Sequence, residues 1–142
     1  MCMWDDAETW ELSRTEWRKA AKEHRCGECR RTIAKGERYE FATGLYDGHW
    51  DTEHTCEQCH QVTRWLFVAC SGYLYQAVQD DLFEHITGEE AYLRTAPLTR
   101  LGRWMAADWR DRHGNLRPVE AVREVADRAI AAYRVQYAKA VA

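Results

Sequence analysis

Cys26-Gly27-Glu28-Cys29 and Cys56-Glu57-Gln58-Cys59, two Cys-x2-Cys pairs separated by 26 residues, decide how this chain is read. Two residues between cysteines let both sulfurs face one ion from a single tight turn, and two such turns complete the tetrahedral sulfur shell that zinc prefers. Gly27 suits the first turn, and Lys22, Arg25, Arg30 and Arg31 lie near enough to offset the negative charge of a four-thiolate centre. The spacing therefore predicts one structural zinc ion held by Cys26, Cys29, Cys56 and Cys59. A redox dithiol or an iron–sulfur cluster uses the same residue type, but two pairs in one chain favour a shared metal. His24, His49, His54 and His60 are nearby as substitute ligands or polar surface, with His54 and His60 placed for contacts behind the ligands. Cys2 and Cys70 have no partner at ligand spacing; Cys70 reads as a small core residue at a helix end and Cys2 as part of a tail.

Outward from the cysteines, residues 8–18 carry Trp10, Leu12 and Trp17 among polar residues, a loose alternation that predicts an edge strand. Between Arg25 and Tyr46 the punctuation is that of short strands and tight turns: Lys35-Gly36-Glu37 turns into the strand-like Arg38–Phe41, and Gly44 and Asp47-Gly48 mark further turns. From Cys56 the period becomes helical, with Val62, Leu66 and Ala69 on one face up to Cys70 and a break at Ser71-Gly72. Leu74, Val78, Leu82 and Ile86 predict a helix over 73–86, and Leu101, Met105 and Trp109 another over 99–113. Pro118 opens the clearest helix, to about residue 140, with Val122, Ala126 and Ile130 on its stripe.

The chain has 142 residues, 46% of them apolar and 30% charged, which is the balance of a globular protein rather than a disordered one. Seven Trp and seven Tyr serve as core and rim fillers, and they are also types that concentrate binding energy at interfaces. No apolar run reaches the ~18 residues of a membrane span, and the acidic start MCMWDDAETWE lacks the basic and apolar regions of a secretory signal. A cytoplasmic protein is expected, in which paired cysteines read as metal ligands before disulfides. The net charge of −3 is segmented: residues 17–46 hold eight bases against four acids, residues 47–90 one Arg against nine acids, and residues 91–142 ten bases against five acids. A dedicated nucleic-acid binder shows a basic overall balance, so the charge leans toward a protein partner.

The stretch KEHRCGECRRTIAKGERYE from Lys22 to Glu40, the Trp50 region, and Cys56–Cys59 opening a helix together resemble a treble-clef zinc finger. They are similar in particular to small uncharacterised zinc proteins of bacteriophages and prophages, as is the continuation GYLYQAVQDDL from Gly72. The resemblance covers about residues 15–88. It implies an α+β fold, with a zinc knuckle, a β-hairpin and a helix whose first turn carries the second cysteine pair, and the helical periods read above add an α-helical C-terminal extension. Residues 1–70 then form the zinc-binding region and residues 71–142 a helical extension packed on it as one folded unit. Treble clefs serve as nucleases, nucleic-acid binders and protein platforms, so the fold alone settles no function.

An HNH-type endonuclease needs a base histidine, a catalytic metal and commonly an Asn that orients the base. Asp47-Gly48-His49 and Cys59-His60 match superficially, but His49 lies only seven residues before Cys56 and the single Asn is Asn115. No nucleophile elbow, phosphate loop or dinucleotide glycine pattern is present, and Asp80-Asp81 and Glu89-Glu90 read as a solvated face. The expectation is a non-catalytic protein-interaction module of phage type, with an anti-CRISPR or similar inhibitory role against a host complex conceivable. Asp80, Asp81 and Glu84 of the acidic segment are candidates for a basic protein surface. The alternative is a nucleic-acid binder that uses the basic segments 17–46 and 100–117, where Arg103, Trp104, Trp109, Arg110 and Arg112 interleave cations with stacking rings. Self-association through the C-terminal helix is compatible with either.

Overall fold

The structure, a computed structural model, describes residue 2, residues 12–88 and residues 94–141. In chain order the strands are β1 (Leu12–Lys19), β2 (His24–Arg25), β3 (Thr32–Ile33), β4 (Arg38–Tyr46) and β5 (His49–Cys56). The helices are α1 (Glu57–Cys70), α2 (Val78–Thr87), α3 (Ala96–Ala106) and α4 (Val119–Val141). The fold is α+β, as the resemblance implies.

Asp47 and Gly48 both adopt positive φ, 48° and 76°, the conformation of a two-residue hairpin turn whose twist matches that of its strands. They join β4 to β5 in antiparallel register, from Tyr46 opposite His49 to Tyr39 opposite Cys56. β1 adds to the other side of β4, so the sheet order is β1-β4-β5 and β1 is an edge strand. It starts at Leu12, and residues 8–11 of the expected strand lie outside the described residues. Gly44 is not a turn: it lies within β4, opposite Ser13 and Asp51. The two-residue strands β2 and β3 pair separately and bracket the first cysteine pair.

α1 begins where β5 ends. Cys56 is its N-cap, with extended backbone (φ −66°, ψ 158°), and its sulfur accepts the Cys59 N–H. Left-handed Ser71 stops the helix, its N–H bonding back to the Phe67 carbonyl. Val62, Trp65 and Leu66 are buried on the inner face and join one core with Val78 and Leu82 of α2, Leu98, Leu101 and Met105 of α3, and Val122, Ala126 and Ile130 of α4. At ~25 cal/mol per Å² of apolar area removed from water, this shared core is the main term holding the four helices together.

Two helices start or stop where periodicity does not place them. α2 begins at Val78 rather than residue 73, because the Glu28 carboxylate reaches over and accepts the backbone N–H groups of Gln76 (2.9 Å) and Val78 (3.2 Å). A side chain 50 residues upstream thus takes the place of a local cap. α3 starts earlier than expected, capped by Thr95 with Pro97 in its first turn, and ends at Ala106 instead of running to 113. Asp108 and Trp109 then turn left-handed, with φ 56° and 63°. Leu101, Met105 and Trp109 are all fully buried, as one helical face would be, but Trp109 reaches the core by leaving the helix.

Candidate metal centre

The sequence brings the four sulfurs together by three local devices. Left-handed Arg30 closes the knuckle, where the Arg30 N–H bonds to the Cys26 carbonyl (2.9 Å) and the Cys26 N–H to the Arg31 carbonyl (2.9 Å). The Gly27 N–H bonds to the His54 carbonyl (2.8 Å), seating the knuckle against β5. A Cβ at Gly27 would lie 2.8 Å from a Glu53 carboxylate oxygen, so only glycine sits there without displacing that side chain. The hairpin register then delivers Cys56 and the first turn of α1 to the same point.

The Sγ atoms of Cys26, Cys29, Cys56 and Cys59 lie within 4.8 Å of one another, all four are buried, and none is disulfide-bonded. Cys29 and Cys56 are 3.9 Å apart. A tetrahedral shell with metal–sulfur bonds of ~2.3 Å sets its sulfurs roughly 3.8 Å from one another, so the cluster fits a single ion. N–H groups point at the sulfurs: Cys56 N donates to Cys26 (3.4 Å), Cys59 N to Cys56 (3.4 Å), and the Trp109 indole Nε1 to Cys59 (3.2 Å). The second pair also occupies a helix N-terminus, where negative charge is favoured.

Charge is arranged around the sulfurs as well. Hydrogen bonds from the other three sulfurs draw the Cys26 thiol far down, whereas burial pushes Cys56 and Cys59 up. Four thiolates buried within 4.8 Å of one another repel, and a shared cation offsets that repulsion. Arg31 is buried beside them and forks onto Glu37 (3.0 and 3.2 Å) while reaching Gln58 at 2.7 Å. Burial opposes its charge, but the pair with Glu37 and the field of Cys56 and Cys29 outweigh it and raise its pKa. Gln58 passes the network on to the Arg117 carbonyl (3.0 Å). Glu28, between the knuckle cysteines, is pushed up to about 7 by burial, with the Gln76 and Val78 donors holding it back.

None of the nearby histidines joins the cluster. His24 and His54 stack at 4.5 Å, His60 pairs with Glu40 (3.4 Å), and His49 is exposed at the start of β5. Of the expected charge-offsetting residues, Arg31 alone is buried; Lys22, Arg25 and Arg30 are exposed.

The expected partner-facing residues divide. Asp80 and Glu84 are exposed on α2, but Asp81 is 1% exposed and pairs with His85 (3.4 Å), so Asp80-Asp81 is not a solvated face. Arg103, Arg110 and Arg112 are exposed, and half-buried Trp104 carries the Arg117 guanidinium over its ring at 4.2 Å. Trp109 is fully buried against Cys59, which removes it from any surface set. Glu89 and Glu90 lie outside the described residues. Cys2 and Cys70, expected to be unpaired, are joined in a disulfide. Sequence reasoning missed the roles of Trp109 and Glu28 at the centre, since each acts across about fifty residues of chain.

No described helix is long and apolar enough to cross a membrane. No protein-family model, curated protein or solved structure matches this chain.

Proposed function

We propose that this chain is a zinc-binding module that engages a partner protein and performs no catalysis. The four-sulfur shell, closed and buried, suits a structural zinc ion rather than one with an open position. The order of knuckle, hairpin, and helix bearing the second pair supports the treble-clef reading. The observation that carries the interaction reading is a cleft of about 700 Å³ between the sheet and residues 72–76. Its lining includes Glu40, Asp51 and Glu53 with Tyr46, Tyr73 and Tyr75, and among the described residues it contains no Lys or Arg. Burial raises Glu53, and Asp51 beside it adds to the effect, so a cation entering the cleft relieves a concentration of negative charge. Aromatic faces attract the same cation. The occupant is a lysine or arginine side chain on a basic protein surface. A phage origin, and a host defence complex as the partner of an anti-CRISPR inhibitor, rest on the sequence resemblance.

The test is capture from lysate with nuclease added, compared across salt. Binding survives nuclease, weakens as salt rises, and associates on the order of tenfold more slowly in Asp51→Lys, with metal content unchanged. Exposed Arg103, Arg110 and Arg112 favour the second reading, nucleic-acid binding. Recovery that vanishes with nuclease, and falls on removing those arginines but not on changing Asp51, would select that reading instead.

The absence of catalysis is supported by His49, which stands seven residues from Cys56 along β5, or roughly 23 Å at the rise of an extended strand. No DNA cleavage is expected with magnesium, manganese, nickel or zinc. Cleavage that disappears in His49→Ala would overturn this.

A further inference from the structure

Residue 2, the end of α1 and the middle of α2 meet in a second cluster. Cys2 and Cys70 are bonded to each other across 68 residues of sequence, with Cα atoms 5.5 Å apart. His85 faces the pair, its Nε2 at 3.5 Å from the Cys70 sulfur and 3.8 Å from the Cys2 sulfur. The other ring nitrogen, Nδ1, is 2.8 Å from the Asp81 backbone carbonyl and 3.4 Å from the Asp81 carboxylate. Trp65 packs edge-on against the imidazole at 5.0 Å, and both His85 and Cys70 are buried.

A carbonyl oxygen only accepts, so the Asp81 contact holds a proton on Nδ1 and leaves the lone pair of a neutral imidazole at Nε2. That lone pair points at two sulfurs that, while bonded to each other, have no proton to offer. The same three atoms lie within 4.8 Å of one another, a soft nitrogen–sulfur set for a divalent ion. An oxygen acceptor behind the far nitrogen is also how metal-ligating histidines are held.

We propose that the reduced form of this protein binds a second zinc-class ion through Cys2, Cys70 and His85 Nε2, with a fourth position open to water. The disulfide and the metal site are two states of one pair. A dithiol reductant delivers two electrons and two protons to the Cys2–Cys70 bond and becomes a disulfide itself. The two thiols then release their protons to solvent as the ion binds. Two thiolates and a neutral imidazole balance a divalent charge at the ion itself, and the Asp81 carboxylate behind Nδ1 adds the outer acceptor that steadies the imidazole.

The test uses the full chain loaded with Zn²⁺, divided into a portion reduced with excess dithiothreitol and a portion in which the disulfide is kept. After desalting, the reduced portion should hold about two ions per chain and the oxidised portion about one. Co²⁺ in the second site should show the visible bands of a mixed sulfur–nitrogen shell. Cys2→Ser and His85→Gln should each return the reduced chain to one ion, with the four-cysteine centre and helical content intact. Cys2 is only partly buried, so its change leaves the core packing in place. Reduced wild-type protein that holds a single ion overturns the proposal, as does a second ion that survives in both variants.

Discussion

Cys29→Ser and Cys56→Ser chains should purify without their central ion and with residues 25–60 unfolded. Four buried sulfurs join the knuckle to the start of α1, and the two-residue strands around the knuckle add little stability of their own. Structural zinc sites contribute ~10–16 kcal/mol in small peptides, as large as the whole ~5–15 kcal/mol by which a domain is stable. Serine offers no thiolate at neutral pH, so one substitution opens the shell and strands three buried sulfurs with their charge uncompensated. Elemental analysis and hydrogen exchange over residues 25–60 measure the two effects together. Pure wild-type protein holding less than about half an equivalent of zinc, with the four thiols free and the fold intact, would refute the structural role.

Trp109→Ala should be the next most damaging change. The side chain is fully buried, and its indole N–H donates to the Cys59 sulfur at 3.2 Å. Removing a buried Trp leaves a cavity and costs about 3–5 kcal/mol. Trp109→Phe separates packing from the hydrogen bond: most of the ring volume stays, and the loss falls to about 1–2 kcal/mol. Its clearer sign should be kinetic, since a Cys59 sulfur without its donor is easier to protonate and release. Denaturation midpoints and the rate of metal loss to a chelator distinguish the variants. Equal rates in Trp109→Phe and wild type would show that the N–H···S contact does nothing for the ion.

The parts of this architecture legible in the sequence are those set by neighbours along the chain. Cysteine spacing marks the four ligands because a two-residue gap is itself the turn geometry. Asp47-Gly48 marks the hairpin because both residues tolerate positive φ. The stripe of Val122, Ala126 and Ile130 marks α4 because burial follows the helical period. What stayed hidden is set by distant segments. Glu28 reads as a surface acid inside a turn until α2 is brought against it. Trp109 continues the spacing of Leu101 and Met105, and nothing local says that it leaves the helix to meet a sulfur. Asp81 follows Asp80 as a plain acidic pair, yet one faces solvent and the other His85. Cys2 and Cys70 look solitary because 68 residues separate them.

Trp109 follows Cys59 by 50 residues, and that interval has a consequence during synthesis. At ~5–20 residues per second, the ribosome extends the chain for roughly 2–10 s between making the last ligand and making the indole that covers it. For that interval the knuckle and the start of α1 can gather their ion with the Cys59 sulfur still lacking its indole donor. Once Trp109 docks, its indole N–H is donated to the Cys59 sulfur, so the last hydrogen bond to the ligand shell arrives well after the ligands themselves.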